Sequence, residues 1–118
     1  MRLFHILATS LISLAFIPNA AQAAPPLHDF CVKYEGWAVQ LFSEYVAGAT
    51  RWDLVNRHVL GKGFSLRSWH GWTIDNLAGS AERMGRANLM RLSEYDIRAN
   101  AQAACTQVWT TFSAMERH

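Results

Sequence analysis

The side chains of this sequence that could carry chemistry are histidines, carboxylates and cysteines, and their spacing matches no common catalytic or metal motif. None of the five histidines lies four residues from another, as two metal ligands on one helix face would. The motifs H-E-x-x-H, G-x-S-x-G and C-x-x-C-H are absent, as is a phosphate-binding glycine loop. We therefore expect a protein with no catalysis, no cofactor and no metal.

Three carboxylates and one histidine remain as candidates for acid–base chemistry. A glycosidase-like pair needs two carboxyl groups that face one cleft, and the predicted helices would allow Glu35 or Glu44 opposite Asp75. Nothing in the sequence selects that pairing. His70 lies on an apolar stripe beside Trp69, a position more typical of a hydrogen-bonded histidine at the edge of a core than of a catalytic base.

The two cysteines, Cys31 and Cys105, are expected to form a disulfide. Two thiols usually pair in an oxidising compartment, although two separate buried thiols are the alternative. A redox-active pair is not favoured, because C-x-x-C and a neighbouring basic cluster are both missing. The bridge would close a loop of about 75 residues, for which the chain-entropy model gives on the order of 4 kcal/mol.

Residues 1–23 have the pattern of a cleavable secretory signal peptide, which would bring the cysteines into such a compartment. A positive charge is followed by an apolar stretch up to Pro18, and the small residues Ala21 and Ala23 precede the expected cleavage before Ala24. A membrane anchor is the alternative, but a spanning helix needs about 20 consecutive apolar residues. We expect a periplasmic or secreted protein with no membrane contact after signal removal.

Residues 24–118 are expected to form a single helical domain, because 118 − 23 = 95 residues suffice for only one modest core. Arg2 is the one Lys or Arg lost with the signal peptide, which leaves ten basic and nine acidic residues. A net charge of 10 − 9 = +1 predicts no preference for nucleic acid.

Helical periodicity and capping residues predict four helices and no strand. Their limits follow from these signals: residues 29–47, with Asp29 as N-cap and Gly48 as stop; residues 50–60, opened by a capping box of Thr50 and Asp53; residues 65–84, capped by Ser65 and ended by Gly85; and a last helix opened by a capping box of Ser93 and Asp96. Residues 86–92 are expected to be a partly helical connector.

Each predicted helix carries an apolar stripe at three-and-four spacing that should face the core. The stripes are Phe30, Tyr34, Trp37, Leu41 and Tyr45; Trp52, Val55 and Val59; Leu66, His70, Ile74, Leu77, Ala81 and Met84; and Ile97, Ala101, Cys105, Val108, Phe112 and Met115. A Cys31–Cys105 bridge would then clamp the first and last helices side by side. The predicted fold is all-α, a compact bundle of about four helices closed by one disulfide.

The five tryptophans are either core or interface residues. Trp37 and Trp52 occupy stripe positions, which favour the core. The other three lie beside a stripe, where a side chain packs at the core edge or is exposed. Because tryptophan is enriched at binding hot spots, we expect a partner-binding patch of Trp72, Trp69 and Arg67, in which an apolar anchor has charged neighbours.

Four features follow the predicted signal peptide in a fixed order. They are an early cysteine (Cys31), the turn at residues 47–51, the segment 74–77 and the segment from 93 to a late cysteine (Cys105). In this order of features the chain resembles the small, mostly uncharacterised periplasmic helical proteins of Gram-negative bacteria. More loosely, it is similar to the periplasmic immunity proteins of type VI secretion and to periplasmic acid-stress chaperones. The resemblance implies a periplasmic location but transfers no functional residue.

The function expected from these features is that of a binding, inhibitor or immunity-type protein with no catalysis of its own and another protein as its partner. The tryptophan content, the disulfide and the lack of catalytic motifs favour it. The alternative is a periplasmic chaperone or stress protein. The near balance of acidic and basic residues makes that alternative less favoured.

Overall fold

The computed structural model describes residues 24–116, so the predicted signal peptide of residues 1–23 lies outside the described residues. Within residues 24–116 the chain is helical and contains no strand. The elements are α1 (Leu27–Val46), α2 (Arg51–His58), a short 3₁₀ helix (Leu60–Lys62), α3 (Trp69–Met84), α4 (Arg86–Leu89) and α5 (Glu94–Glu116). The expected all-α fold is confirmed.

Helix α1 is the central element of the bundle. Helices α5 and α3 both pack on α1, at different parts of its surface. Helix α2 packs mainly on α3. The predicted disulfide is confirmed: Cys31 of α1 and Cys105 of α5 are bonded, with their Cα atoms 5.4 Å apart. By contrast, α3 and α5 hardly touch each other along their lengths. The two helices approach each other where the ring of Trp72 in α3 packs on the ring of Phe112 in α5, with 5.5 Å between the ring centroids.

The two predicted capping boxes are confirmed. At the start of α2, the backbone N–H of Asp53 donates to the Thr50 hydroxyl at 3.0 Å, and the Asp53 carboxylate accepts from the Thr50 N–H at 2.8 Å. At the start of α5, Ser93 and Asp96 make the same two hydrogen bonds at 3.1 and 3.0 Å. A cap of this kind contributes about 1 kcal/mol to helix stability.

The other two predicted N-caps are wrong. Helix α1 begins at Leu27, because the carbonyl of Pro26 already accepts the N–H of Phe30 at 2.9 Å. Asp29 therefore lies in the first turn, where its negative charge interacts favourably with the positive N-terminal end of the helix dipole.

Helix α3 begins four residues after the predicted cap, Ser65. The hydroxyl of Ser68 accepts the backbone N–H of Gly71 at 3.0 Å and is the actual cap. That hydroxyl also donates to the carbonyl of Ser65 at 2.6 Å, which closes a turn before the helix. Leu66 consequently lies outside α3, and its side chain is 41% exposed rather than buried.

The core is formed largely by the predicted stripes. The stripe residues that are buried are Phe30, Tyr34, Leu41 and Tyr45 of α1; Val55 and Val59 from the second stripe; Ile74, Leu77 and Ala81 of α3; and Ala101, Cys105 and Phe112 of α5. Trp37, Ile97 and Val108 are partly buried against this core. Gly48 and Gly85 follow α1 and α3 with positive φ, as expected of helix stops.

Three further stripe residues are exposed, which corrects the prediction for them. Trp52 is 59% exposed, because α2 buries Leu54, Val55 and His58, and position 52 lies on the order of 110° from the centre of that face. Met84 is the last residue of α3, and Met115 lies one residue before the end of α5. At these helix ends Met84 is 37% and Met115 is 50% exposed.

Candidate functional site

The predicted partner-binding residues Arg67, Trp69 and Trp72 occupy different environments. Arg67 is exposed in the connector before α3. Trp69 is half-buried, and its ring packs on Trp37 of α1 at 5.5 Å between centroids. Trp72 is also half-buried and packs on Phe112 of α5. These contacts give both tryptophans a packing role, and binding of a partner by the three residues stays a prediction.

The tryptophan with the most solvent exposure is Trp52, which the sequence reasoning assigned to the core. Trp52, Val55 and Leu66 line a shallow groove on the outer side of α2 and α3. Charged side chains of Arg51, Asp75 and Glu82 border it. We call these six residues the Trp52 surface. The sequence contained a pattern that indicates the exposure of Trp52, because Leu54 and His58 together form an alternative buried face of α2 that leaves Trp52 outside.

An ion-pair cluster fixes the border of the Trp52 surface. The Arg51 guanidinium donates to the Asp75 carboxylate through Nε at 3.1 Å and Nη2 at 3.0 Å. Its Nη1 lies 3.7 Å from Glu82, whose side chain is 56% exposed. The guanidinium lies over Gly79, where a Cβ would be only 3.2 Å from its central carbon. One cation therefore serves two carboxylates and leaves an excess of negative charge beside Trp52.

A second cluster surrounds His70. Its ring stacks on Phe64 at 4.0 Å between centroids and meets the edge of Trp37 at 4.9 Å. The Nε2 atom donates to the backbone carbonyl of His58 at 2.9 Å. Desolvation by burial lowers the pKa of His70, and the nearby positive charge of Lys62 acts in the same direction. His70 is thus a neutral, hydrogen-bonded histidine at the edge of the core.

The carboxylates considered for acid–base chemistry each have their own partners. Glu44 accepts hydrogen bonds from Arg57 and from His58 Nε2, the latter at 2.8 Å. Partial burial raises the pKa of Glu44, but these two hydrogen bonds outweigh it, and the pKa lies below its ordinary value. Glu35 is held on α5 by Gln102 and Arg98, whose hydrogen bonds lower its pKa.

Asp75 is paired with Arg51, so the three carboxylates lie in three different ion-pair groups. The structure therefore does not bring Glu35 or Glu44 opposite Asp75 as a hydrolytic pair would require.

Arg86 has a structural role that the sequence reasoning missed. Its Nε donates to the carbonyl of Tyr45 at 2.9 Å, and its Nη2 donates to the carbonyl of Ala49 at 3.1 Å. The guanidinium also lies over the Tyr45 ring at 4.5 Å from the centroid. Arg86 therefore satisfies carbonyl groups at and beyond the end of α1, where the helix has no further intrahelical donors.

Among residues 24–116, no cluster of three or more histidine, cysteine or acidic side chains has a geometry suited to a metal ion. None of the helices in this part of the chain combines the length and the hydropathy needed to cross a bilayer. Comparison with protein-family models, curated proteins and solved structures gave no significant match.

Proposed function

We propose that this chain is an exported binding protein of inhibitor or immunity type that engages another protein through the Trp52 surface and has no catalysis of its own. The observation that carries the proposal is the 59% exposure of Trp52. An exposed tryptophan beside other apolar side chains and a charged border has the composition of an interface hot spot.

The scaffold behind this surface is suited to tight binding. The Cys31–Cys105 bridge fixes α1 against α5, and the Arg51–Asp75 ion pair fixes the start of α2 against α3. A surface that is already ordered loses little conformational entropy when a partner binds.

The partner is expected to combine one apolar side chain with one basic side chain. The apolar group would enter the groove between Trp52 and Leu66. The basic group would meet Glu82, which is more than half exposed and only loosely paired with Arg51. Such an arrangement would balance the negative charge at the border while the centre of the interface stays apolar.

Export is supported by two observations of different kinds. A disulfide between two distant helices is stable in an oxidising compartment, and residues 1–23 have the charge and hydropathy pattern of a signal peptide. We infer a periplasmic or secreted location from both.

The test is quantitative capture from an envelope extract with immobilised residues 24–118, as wild type and as Trp52→Ala. Truncation of a hot-spot tryptophan costs about 2 kcal/mol or more, so capture of the partner should weaken roughly thirtyfold. Tyr95→Ala is the matched control, because Tyr95 is an aromatic residue on α5 with 79% exposure. Melting temperatures should stay within a few degrees for both variants.

The proposal fails if a stoichiometric partner is retained by Trp52→Ala, or if Tyr95→Ala loses the partner equally. The patch of Arg67, Trp69 and Trp72 enters the same test through Arg67→Ala. Truncation of Trp69 or Trp72 would also remove ring contacts with α1 or α5. Loss of capture on Arg67→Ala alone would place the interface at that patch.

A further inference from the structure

Helix α5 is attached to the rest of the molecule by α1 and by one short connection. Its tertiary contacts are almost all with α1. The connection is the turn of residues 90–93, which follows α4. Within the described length of α5, the buried residues are Ala101, Cys105 and Phe112. The contacts that hold α5 are therefore few and concentrated on one partner helix.

The turn of residues 90–93 reverses the direction of the chain. Helix α3 runs parallel to α1, because its first residue packs on the start of α1, and Arg86, just beyond its end, donates to the Tyr45 carbonyl near the end of α1. Helix α5 runs antiparallel to α1, because Trp109 donates to the carbonyl of Pro25, which precedes α1, at 2.8 Å. The chain can place α5 on its own α1 only by folding back at this turn.

Each contact between α5 and α1 can also form between two copies of this chain. The bridge joins Cys31 to Cys105. Arg98 and Gln102 donate to the Glu35 carboxylate at 3.2 and 3.0 Å. None of these contacts involves the turn before α5. An α5 from a second copy therefore brings the same side chains to the same positions, and exchange of one element between identical chains costs little.

The bridge determines when such an exchange can occur. While Cys31 and Cys105 are bonded, α5 cannot leave its own α1. Both cysteines line an open groove between the two helices, so a small thiol can reach the bond. A thiolate that attacks one sulfur forms a mixed disulfide there and releases the other cysteine as a thiolate. That thiolate attacks the mixed disulfide of a second copy and expels the small thiolate, with no net oxidation or reduction.

We propose that this chain forms an exchanged dimer in which α5 of each copy packs on α1 of the other, with Cys31 of each copy bonded to the partner's Cys105. The partner is a second copy of this chain, and the interface is the one that α1 and α5 already form. The turn of residues 90–93 becomes the hinge. The Trp52 surface takes no part in the exchange, so this proposal stands or falls independently of the proposed function.

The first experiment measures how the dimer depends on concentration in the folded wild type. A short linker holds its two ends at an effective concentration in the millimolar range, so size-exclusion chromatography after incubation at about 1 mM in a glutathione redox buffer should show comparable amounts of monomer and dimer. At about 10 μM the ratio of dimer to monomer should be about a hundredfold smaller, because dimer formation is second order in the chain.

The second experiment changes the turn. Deletion of Met90 and Arg91, both exposed, shortens the reversal and should raise the ratio of dimer to monomer at least tenfold at the lower concentration, because short strained hinges favour exchange. Insertion of Gly-Ser-Gly-Ser after Arg91 is the matched control. It disturbs the same turn but allows the chain to fold back, so its dimer fraction should not exceed that of wild type.

A third measurement needs no variant and therefore decides the question even where the deletion variant does not fold. Unlabelled and nitrogen-15-labelled wild type are mixed at the higher concentration in the redox buffer, and the disulfide-linked peptides of the isolated dimer are weighed. Exchange gives Cys31–Cys105 peptides with one light half and one heavy half. The proposal is overturned if no dimer forms, if the dimer joins Cys31 to Cys31 or Cys105 to Cys105, or if every Cys31–Cys105 peptide is uniformly light or heavy.

Discussion

Gly71 and Gly36 are both glycines inside helices, but their surroundings differ. A Cβ at position 71 would overlap the carbonyl oxygen of Ser65 and lie 2.9 Å from Cγ1 of Val59. A Cβ at position 36 would have no neighbour within 4 Å. The turn before α3 can close against the helix only because Gly71 has no side chain.

We expect Gly71→Ala to lower the free energy of unfolding by roughly 1 to 3 kcal/mol, since the turn must move away from α3. Gly36→Ala should raise it by about 0.5 to 1 kcal/mol, because alanine is the better helix former at an exposed position. Urea unfolding of both variants measures these two changes in the free energy of unfolding. Shifts of the same sign would contradict the close approach at Gly71.

His70 makes stability depend on pH in the weakly acidic range. Burial lowers its pKa in the folded protein, whereas the unfolded chain has an ordinary value near 6.5. Between these two values the unfolded chain binds more protons, so the free energy of unfolding rises with pH. Stability should therefore fall as the pH drops below about 7, and this loss should be complete below the folded pKa.

The expected result is a smaller drop in urea midpoint between pH 7.5 and pH 5 for His70→Gln than for wild type. His28→Gln, at an exposed position, serves as the control. The carboxylates Glu35 and Glu44 have lowered pKa values, so the stability they contribute is lost only below their ordinary range near pH 4.5. An equal slope for His70→Gln and wild type would exclude His70 as the cause.

At the scale of elements, α5 depends on α1 for nearly all of its tertiary contacts. The disulfide, the Glu35 hydrogen bonds to Arg98 and Gln102, and the Trp109 Nε1 donation to the Pro25 carbonyl at 2.8 Å hold the two helices together. Helices α2 and α3 are joined to α1 without using any of these contacts. The structure therefore divides into two groups that share α1: α5 alone in one, and α2 with α3 in the other.

Replacing both cysteines by serine should lower the free energy of unfolding by about 4 kcal/mol. Where the variant remains folded, backbone amides of α5 should exchange with deuterium faster than those of α3, because α5 loses its covalent attachment and can separate locally. Hydrogen-exchange mass spectrometry at neutral pH compares the two helices. A uniform increase over all helices would show that the bundle opens as a single unit.

The sequence predicted those elements that depend on a few neighbouring residues. The capping boxes of α2 and α5 are complete within four residues, and two cysteines allow only one bridge. The prediction of Ser65 as the N-cap of α3 was wrong because Ser68 is also a suitable capping residue nearby. The choice between the two depends on the packing of Gly71 against the turn, which the sequence pattern does not report. The prediction that Trp52 lies in the core was wrong because the sequence of this eight-residue helix is compatible with two different buried faces.

The candidate surfaces were less accessible to sequence reasoning than the helices. A groove between α3 and α5, lined by Phe42, Leu77 and Ile97 among others, results from the packing of both helices on α1 rather than on each other, and no local pattern encodes that placement. The Trp52 surface likewise requires α2, the connector at Leu66 and the carboxylates of α3 to meet. Both depend on tertiary placement, whereas periodicity reports only which face of one helix is apolar.

For the whole molecule, export and the disulfide can be tested together by intact mass. The protein recovered from the envelope or culture fraction should have the mass of residues 24–118 less two hydrogen atoms. A strong reductant should restore those two hydrogens. Retention of residues 1–23 would contradict cleavage before Ala24, and a mass without the loss would contradict the bridge.

The pairing of α1 with α5 also constrains the order in which the molecule can assemble. Helix α1 precedes the other described helices, but its longest partner, α5, is bonded to it across a sequence separation of 74 residues between the cysteines. During the proposed export, the part of α1 that α5 covers would therefore stay exposed until Cys105 has also emerged. Contacts of such high sequence separation slow folding relative to a bundle of sequential hairpins. During such an export, this side of α1 would thus remain open to chaperones until the last helix is available.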